Sequence, residues 1–294
     1  MSPMIDTPRV GLRSESEVLD WAHRVLGPLE GGIDLTSSGS SHQVRRLTTR
    51  SGDPIVVKWF QDAPCFFHTI DALSDYAIAL GHSAPKLIDQ NESLRALVMT
   101  ASPGDNVSSD AMLDPTLHFT LGTLLRQFHQ SAPANRSADV PKQWAAQLSR
   151  LLENLEDALD PAVALEARKL ALELLDLEQI ALTPTHGAIG RDHIITDPDW
   201  GVSLVGYSHT QYDPWVCDLA SLERDWWTYS PELKNAFFTG YEGELSSEDD
   251  ILLRAKLLID ALEQWEHATS TRSSRSERSR SRRDVDSALG GTLF

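Results

Sequence analysis

Residues 186–220 read HGAIGRDHIITDPDWGVSLVGYSHTQYDPWVCDLA. A His-Gly pair opens a short polar loop, and the apolar runs Ile194-Ile195 and Val202 to Val205 flank the turn Asp197-Pro198-Asp199-Trp200-Gly201. Alternation on both sides of a Pro/Gly turn predicts two antiparallel strands. From Leu182 to Val205 the pattern is therefore strand-like, yet the chain on either side of it is helical.

Apolar residues recur at helical spacing in Leu117, Leu121, Leu124, Leu125 and Phe128, in Leu148, Leu151, Leu152, Leu155 and Leu159, and in Leu165, Leu170, Leu174 and Leu177. A last stripe runs from Ile251 to Trp265. Nearer the start, a helix is predicted over Glu15 to Leu26 behind Ser14 and Ser16. Strand, turn, strand comes next over Ile33 to Phe60 around Ser51-Gly52-Asp53-Pro54, then a helix over Phe67 to Leu80 and strands at Lys86 to Ile88 and Arg95 to Met99. The Pro-Gly break at Thr100 to Gly104 reads as a hinge. The pattern predicts an α+β, two-lobed fold: a small antiparallel β-rich lobe over 1–100, a larger, mostly helical lobe over 101–268, and a Ser/Arg-rich tail over 269–294 that is expected to be disordered.

With 294 residues, 41% of them hydrophobic, the chain can bury a proper core. The net charge of −17 includes six arginines (Arg272, Arg275, Arg278, Arg280, Arg282 and Arg283), so the body is more acidic still. Such a body repels nucleic acid and membrane surfaces and attracts cationic small molecules, leaving the Arg-rich tail as the one segment suited to RNA or an acidic partner. The only cysteines, Cys65 and Cys217, give no disulfide framework, and no run of about 18 apolar residues occurs. A cytoplasmic location is expected.

In order along the chain come a Ser/Gly turn (Ser37 to Ser41), Lys58 in the apolar strand IVVKWF, a helix bearing Asp71 and Asp75, the hinge LVMTASPGDNV, the helix LGTLLRQFH ending in His129, the His-Gly loop, DPWVCDLA, and FFTGY at 237–241. This series resembles the aminoglycoside phosphotransferase and choline kinase family, relatives of the protein kinases, over about residues 15 to 268. The resemblance implies a nucleotide between two lobes. Ser38, Gly39 and Ser40 would cover its phosphates, Lys58 would bind them while paired to Asp71 or, one turn on, Asp75, and the backbone of Met99, Thr100 and Ala101 would receive adenine. It further implies structural roles for His129, His186, Asp213 and Asp218.

The same resemblance exposes vacancies. The family's HGDxxxxN has Ala188 at the catalytic aspartate and His193 at the metal-binding asparagine, while Gly206, or Val205 without an alignment gap, falls at the metal-binding aspartate. Alanine accepts no proton, glycine and valine offer Mg²⁺ no side-chain oxygen, and imidazole suits softer metals. Nucleotide binding stays open, and Mg²⁺ binding is not expected. A site built from His186, His193 and His209 is a further, weaker metal reading.

Three functions compete. One is a pseudokinase that binds nucleotide or ligand and acts through a protein or peptide partner. The second is an atypical phosphotransferase that uses Asp192 as base toward a hydroxyl of a small molecule or peptide. The third makes the Ser/Arg tail the working part.

Overall fold

The computed structural model describes residues 14–37, 40–156 and 158–270, with Asp284, Val285 and Ala288. Helix α1 (Glu15–Leu26) starts at a capping box, in which Ser14 and Glu17 each bond the other's backbone N–H. Its buried face of Val18, Trp21 and Ala22 lies on Leu47, Ile55, Val57, Trp59, Ala96 and Val98 of the sheet. That sheet contains β1 (Leu29–Asp34), β2 (His42–Thr49), β3 (Pro54–Phe60), β4 (Leu87–Asn91) and β5 (Ala96–Thr100) in the order β1-β2-β3-β5-β4, and every pairing is antiparallel. Strand β1, with the sequence LEGGID, was not anticipated: it carries two glycines, and most of its residues are exposed.

Between β3 and β4 the chain forms α2 (Ala63–Asp71), capped by Asp62 and followed by a π-helical turn and a 3₁₀ segment. The helix thus starts earlier than its apolar pattern suggests, because Asp62 and Pro64 supply the N-terminal signals.

After the hinge come β6 (Asp105–Asn106), α3 (Pro115–His129), β7 (Asn135–Ser137), α4 (Asp139–Asn154), α5 (Pro161–Leu175), β8 (Ile180–Thr185), β9 (Ile194–Asp197), β10 (Gly201–Leu204), β11 (Gln211–Asp213), α6 (Ala220–Leu222), α7 (Pro231–Tyr241) and α8 (Ser247–Ser270). Two small sheets, β10-β9-β6 and β11-β8-β7, hold the 186–220 region against the helices. The α+β class and the two-lobed plan match the pattern read from sequence.

Helices α3 and α7 approach closely because each presents a glycine. A Cβ at Gly122 would lie 2.2 Å from the Phe237 carbonyl oxygen, and one at Gly240 would lie 1.9 Å from that of Phe119. The expectation of a disordered end needs one amendment. Asp284, Val285 and Ala288 are helical, with Val285 fully buried against the C-terminal core. These two apolar residues at i, i+3 spacing find cover that a Ser/Arg run could not use; the remainder of 271–294 lies outside the described residues.

Gly240→Ala should force α3 and α7 apart at a cost of about 1–3 kcal/mol. A lowered denaturation midpoint at constant m-value would show it; an unchanged midpoint would contradict the close approach.

Candidate functional site

The scaffold of the site converges on Asp218, which is 1% exposed. Its Oδ2 accepts from the His186 backbone N–H at 2.8 Å and from His129 Nε2 at 2.9 Å, and its Oδ1 accepts from the Gly187 N–H at 2.7 Å. The other ring nitrogen of His129 faces the Tyr241 hydroxyl at 2.9 Å, and Tyr241 stacks on Trp215 at 4.6 Å between centroids. One carboxylate therefore ties the end of α3, the His-Gly turn and α7 together. Burial alone would raise its pKa, but the bonds from His129 and the two N–H groups outweigh this and hold it below the usual value. Asp213 has a lesser part. It accepts from the Gln211 side chain at 2.7 Å, and burial pushes its carboxyl up. Beside it, His186 is fully buried with Nε2 donating to the Val205 carbonyl at 2.9 Å, while its Nδ1 has no hydrogen-bond partner.

The vacated corner is filled by an imidazole. His193 Nδ1 donates to the Ala188 carbonyl at 2.5 Å, turning the ring toward Gly206. A Cβ at Gly206 would lie 2.2 Å from His193 Cδ2, and Gly206 has φ 89°, so neither space nor backbone favours a side chain there. Val205 ends the strand pairing by donating its N–H to the His193 carbonyl at 3.0 Å, which leaves Gly206 as the residue beside the ring. Ala188, His193 and Gly206 thus meet, and none of them brings a carboxylate.

Lys58 is 4% exposed and sits in the central strand β3. Its Nζ donates to Ser208 Oγ at 2.6 Å and lies 4.9 Å from the centre of the Phe60 ring. Among the described residues no carboxylate pairs with it, and burial lowers its pKa to about 8. The anticipated pairs with Asp71 and Asp75 are therefore corrected: both carboxylates are exposed, and the hydrogen bond of the ammonium goes to Ser208. Helix α2 buries Phe66 and Thr69. At about 100° per residue, Asp71 lies well round the helix from them.

Of the phosphate-covering turn, Ser38 and Gly39 lie outside the described residues, and Ser40 Oγ is bonded to His42 Nδ1 at 3.0 Å. At the hinge, the Thr100 N–H donates to the Lys86 carbonyl and the Ala101 N–H to that of Pro54, while Met99 is paired within the sheet. The Thr100 and Ala101 N–H groups are therefore committed to the neighbouring chain and are not donors for an adenine.

On the far side of the loop opens a cavity of about 740 Å³, where Arg191, Asp192, His193, Arg224, Asp225, Trp226, Tyr229 and Asp284 come together. Asp192 is exposed there. Arg224, Asp225, Tyr229 and Asp284 have no motif in the sequence and were missed; Trp226 is one half of a tandem tryptophan. Its neighbour Trp227 belongs to the core and donates to His118 at 3.1 Å. The triple-histidine metal reading gains nothing from the geometry, since His186, His193 and His209 are not placed together to hold an ion. Among the described residues no group of three or more His, Cys, Asp or Glu is placed to hold a metal, and no helix is long and apolar enough to cross a membrane.

The profile described as "Phosphotransferase enzyme family" matches residues 33–251, and the chain belongs to that family. No curated protein sequence matches it. Among solved structures, it resembles the apoenzyme of a macrolide 2′-phosphotransferase from Brachybacterium faecium, with 15% identity, a TM-score of 0.66, and 95% of this chain and 98% of that one covered. An amicoumacin kinase in complex with AMP-PNP, Ca²⁺ and its ligand gives 16% identity and a TM-score of 0.67, with 95% and 94% covered. A phosphotransferase solved as a ternary complex with streptomycin and ATP gives 12% identity and a TM-score of 0.62, with 92% and 96% covered. At these identities the likeness establishes the kinase-like fold.

Two outcomes check this geometry. Asp218→Ala should destabilise the fold by about 3–5 kcal/mol, since it leaves His129 and two N–H groups without their acceptor. Because the folded pKa of Asp218 is depressed, its contribution is complete above the unfolded value near 3.9 and is lost as pH falls through the folded one. Asp218→Asn should therefore flatten the acid limb of the stability curve below about pH 4, as read by chemical denaturation at several pH values. Separately, Gly206→Asp should destabilise the wild type more than it does a His193→Asn background. A double-mutant cycle would read a coupling of about 0.5–3 kcal/mol, and zero coupling would contradict the ring contact.

Proposed function

We propose that this member of the phosphotransferase family is a pseudokinase, which binds a nucleotide or related ligand and acts through a partner rather than by ordinary Mg²⁺-dependent phosphoryl transfer. The observation that carries this reading is the imidazole of His193 packed into the corner beside Gly206 and Ala188. Phosphoryl transfer depends on positioning and on neutralising phosphate charge, with metal ions held by acidic or amide oxygens. The residues present do not fit Mg²⁺, so no metal-dependent step is assigned to them. Absence of a general base costs a further 10²- to 10⁴-fold, about 3 to 5 kcal/mol of barrier.

Support for a nucleotide comes from the buried Lys58 on its central strand and from neighbours solved with ATP or AMP-PNP. The net charge of −17 favours a basic peptide, a basic protein surface or a cationic small molecule as the second component. Purified protein given ATP, Mg²⁺ and a panel of hydroxylated acceptors should turn over far below the ~1–100 s⁻¹ of working kinases. Turnover within that range would refute the reading.

A second reading, an active phosphotransferase with Asp192 as base, draws on the exposed position of that carboxylate at the 740 Å³ cavity. It requires a measurable phosphorylated product that disappears in Asp192→Asn. Product that persists in Asp192→Asn would dismiss it.

A further inference from the structure

The charge around Lys58 is the reverse of what a magnesium-loaded ligand needs. Three imidazoles feel its charge: His42 at the start of β2, which shares the Phe60 ring with it, His193 just before β9 and His209 just before β11. Burial and the ammonium hold all three below the usual imidazole range, so they stand there as neutral rings. His42 uses only Nδ1 in a hydrogen bond, and the His209 ring has no hydrogen-bond partner among the described residues.

Among the described residues no carboxylate is paired with the ammonium. Asp62 caps α2 by accepting from the Cys65 N–H at 2.8 Å and acts on His42 and His209 rather than on Lys58, and Asp218 is committed to His129 and two backbone groups. The Cys65 thiol, pushed up to about 11 by burial, stays protonated. Lys58 itself meets only neutral groups there, the Ser208 hydroxyl and the Phe60 ring. A buried ammonium left without an opposing charge is unfavourable, and an anion arriving in the cleft would supply that charge. A divalent cation in the same place would add to the positive field and find no oxygen ligand at Ala188, His193 or Gly206.

We propose that the cleft binds a phosphate-bearing anion in its metal-free form, with Lys58 as the principal counter-charge and His42 and His209 as hydrogen-bonding neighbours. This rests on the reading that the metal seat is lost, and it adds the ionic form of the ligand. Nucleotides and inorganic polyphosphates share this chemistry, and the choice of probe separates them.

The test is calorimetric titration of the full chain with ATP, ADP and pyrophosphate, each in EDTA and in excess Mg²⁺. ATP should bind in EDTA about threefold or more tightly than in Mg²⁺, and Lys58→Met should weaken that binding about tenfold or more. Its melting temperature should not fall. Pyrophosphate binding as tightly as ATP would assign the site to polyphosphates, and weaker pyrophosphate binding would assign it to nucleotides; either supports the proposal. Binding that requires Mg²⁺, a Lys58→Met protein that binds as the wild type does, or no binding of any of the three probes would overturn it. Should Lys58→Met fail to fold, the comparison of EDTA with Mg²⁺ on the wild type decides alone. A complete absence of binding would leave the predicted lack of turnover standing, whereas Mg²⁺-dependent turnover would remove the proposed function whatever the affinities.

Discussion

The buried carboxylate of Asp218 is the constraint on which the C-terminal lobe is organised. It is sealed from solvent, so each of its oxygens must be satisfied by protein donors, and those donors come from parts of the chain far apart in sequence: His129 at the end of α3 and the His186-Gly187 turn after β8. Holding that turn also sets the path of the next residues. Ala188 leaves the turn with its carbonyl toward His193, and the imidazole is thereby aimed at Gly206. The loop keeps its shape because its anchor is independent of the positions that have changed.

Gly206 and His193 form one contact and have to be considered together. Gly206 has no side chain, and His193 occupies the room that a side chain there would need; neither replacement alone would leave the corner open. On the opposite wall the change is of the same kind. Lys58 keeps its place in β3, but its partner is the Ser208 hydroxyl, from the same short segment as Gly206. On both sides the contacts are made by neutral groups, a hydroxyl for the lysine and a backbone carbonyl for the imidazole.

Much of the fold was legible because it rests on local signals. Helical stripes in α3, α4 and α8, alternation in β2 and β3, and the Pro-Gly hinge are each written within a dozen residues. Strand β1 was not legible, since its glycines and exposed residues carry no periodicity and its place is set by pairing with β2. Val285 and Ala288 were hidden in the same way by the charged run before them. In the site, Asp218 and His129 could be named from their motif, but Asp71 was misassigned because spacing along α2 does not reveal which face is turned inward.

By itself the sequence determined the family and the two lobes, because these are properties of residue type and order. Only the tertiary structure decided which side chains meet at Ala188, His193 and Gly206. Contacts such as Lys58 with Ser208, 150 positions apart, or His193 against Gly206, depend on how the lobes and loops pack. Sequence spacing has no information about which side chain fills a space that another has left.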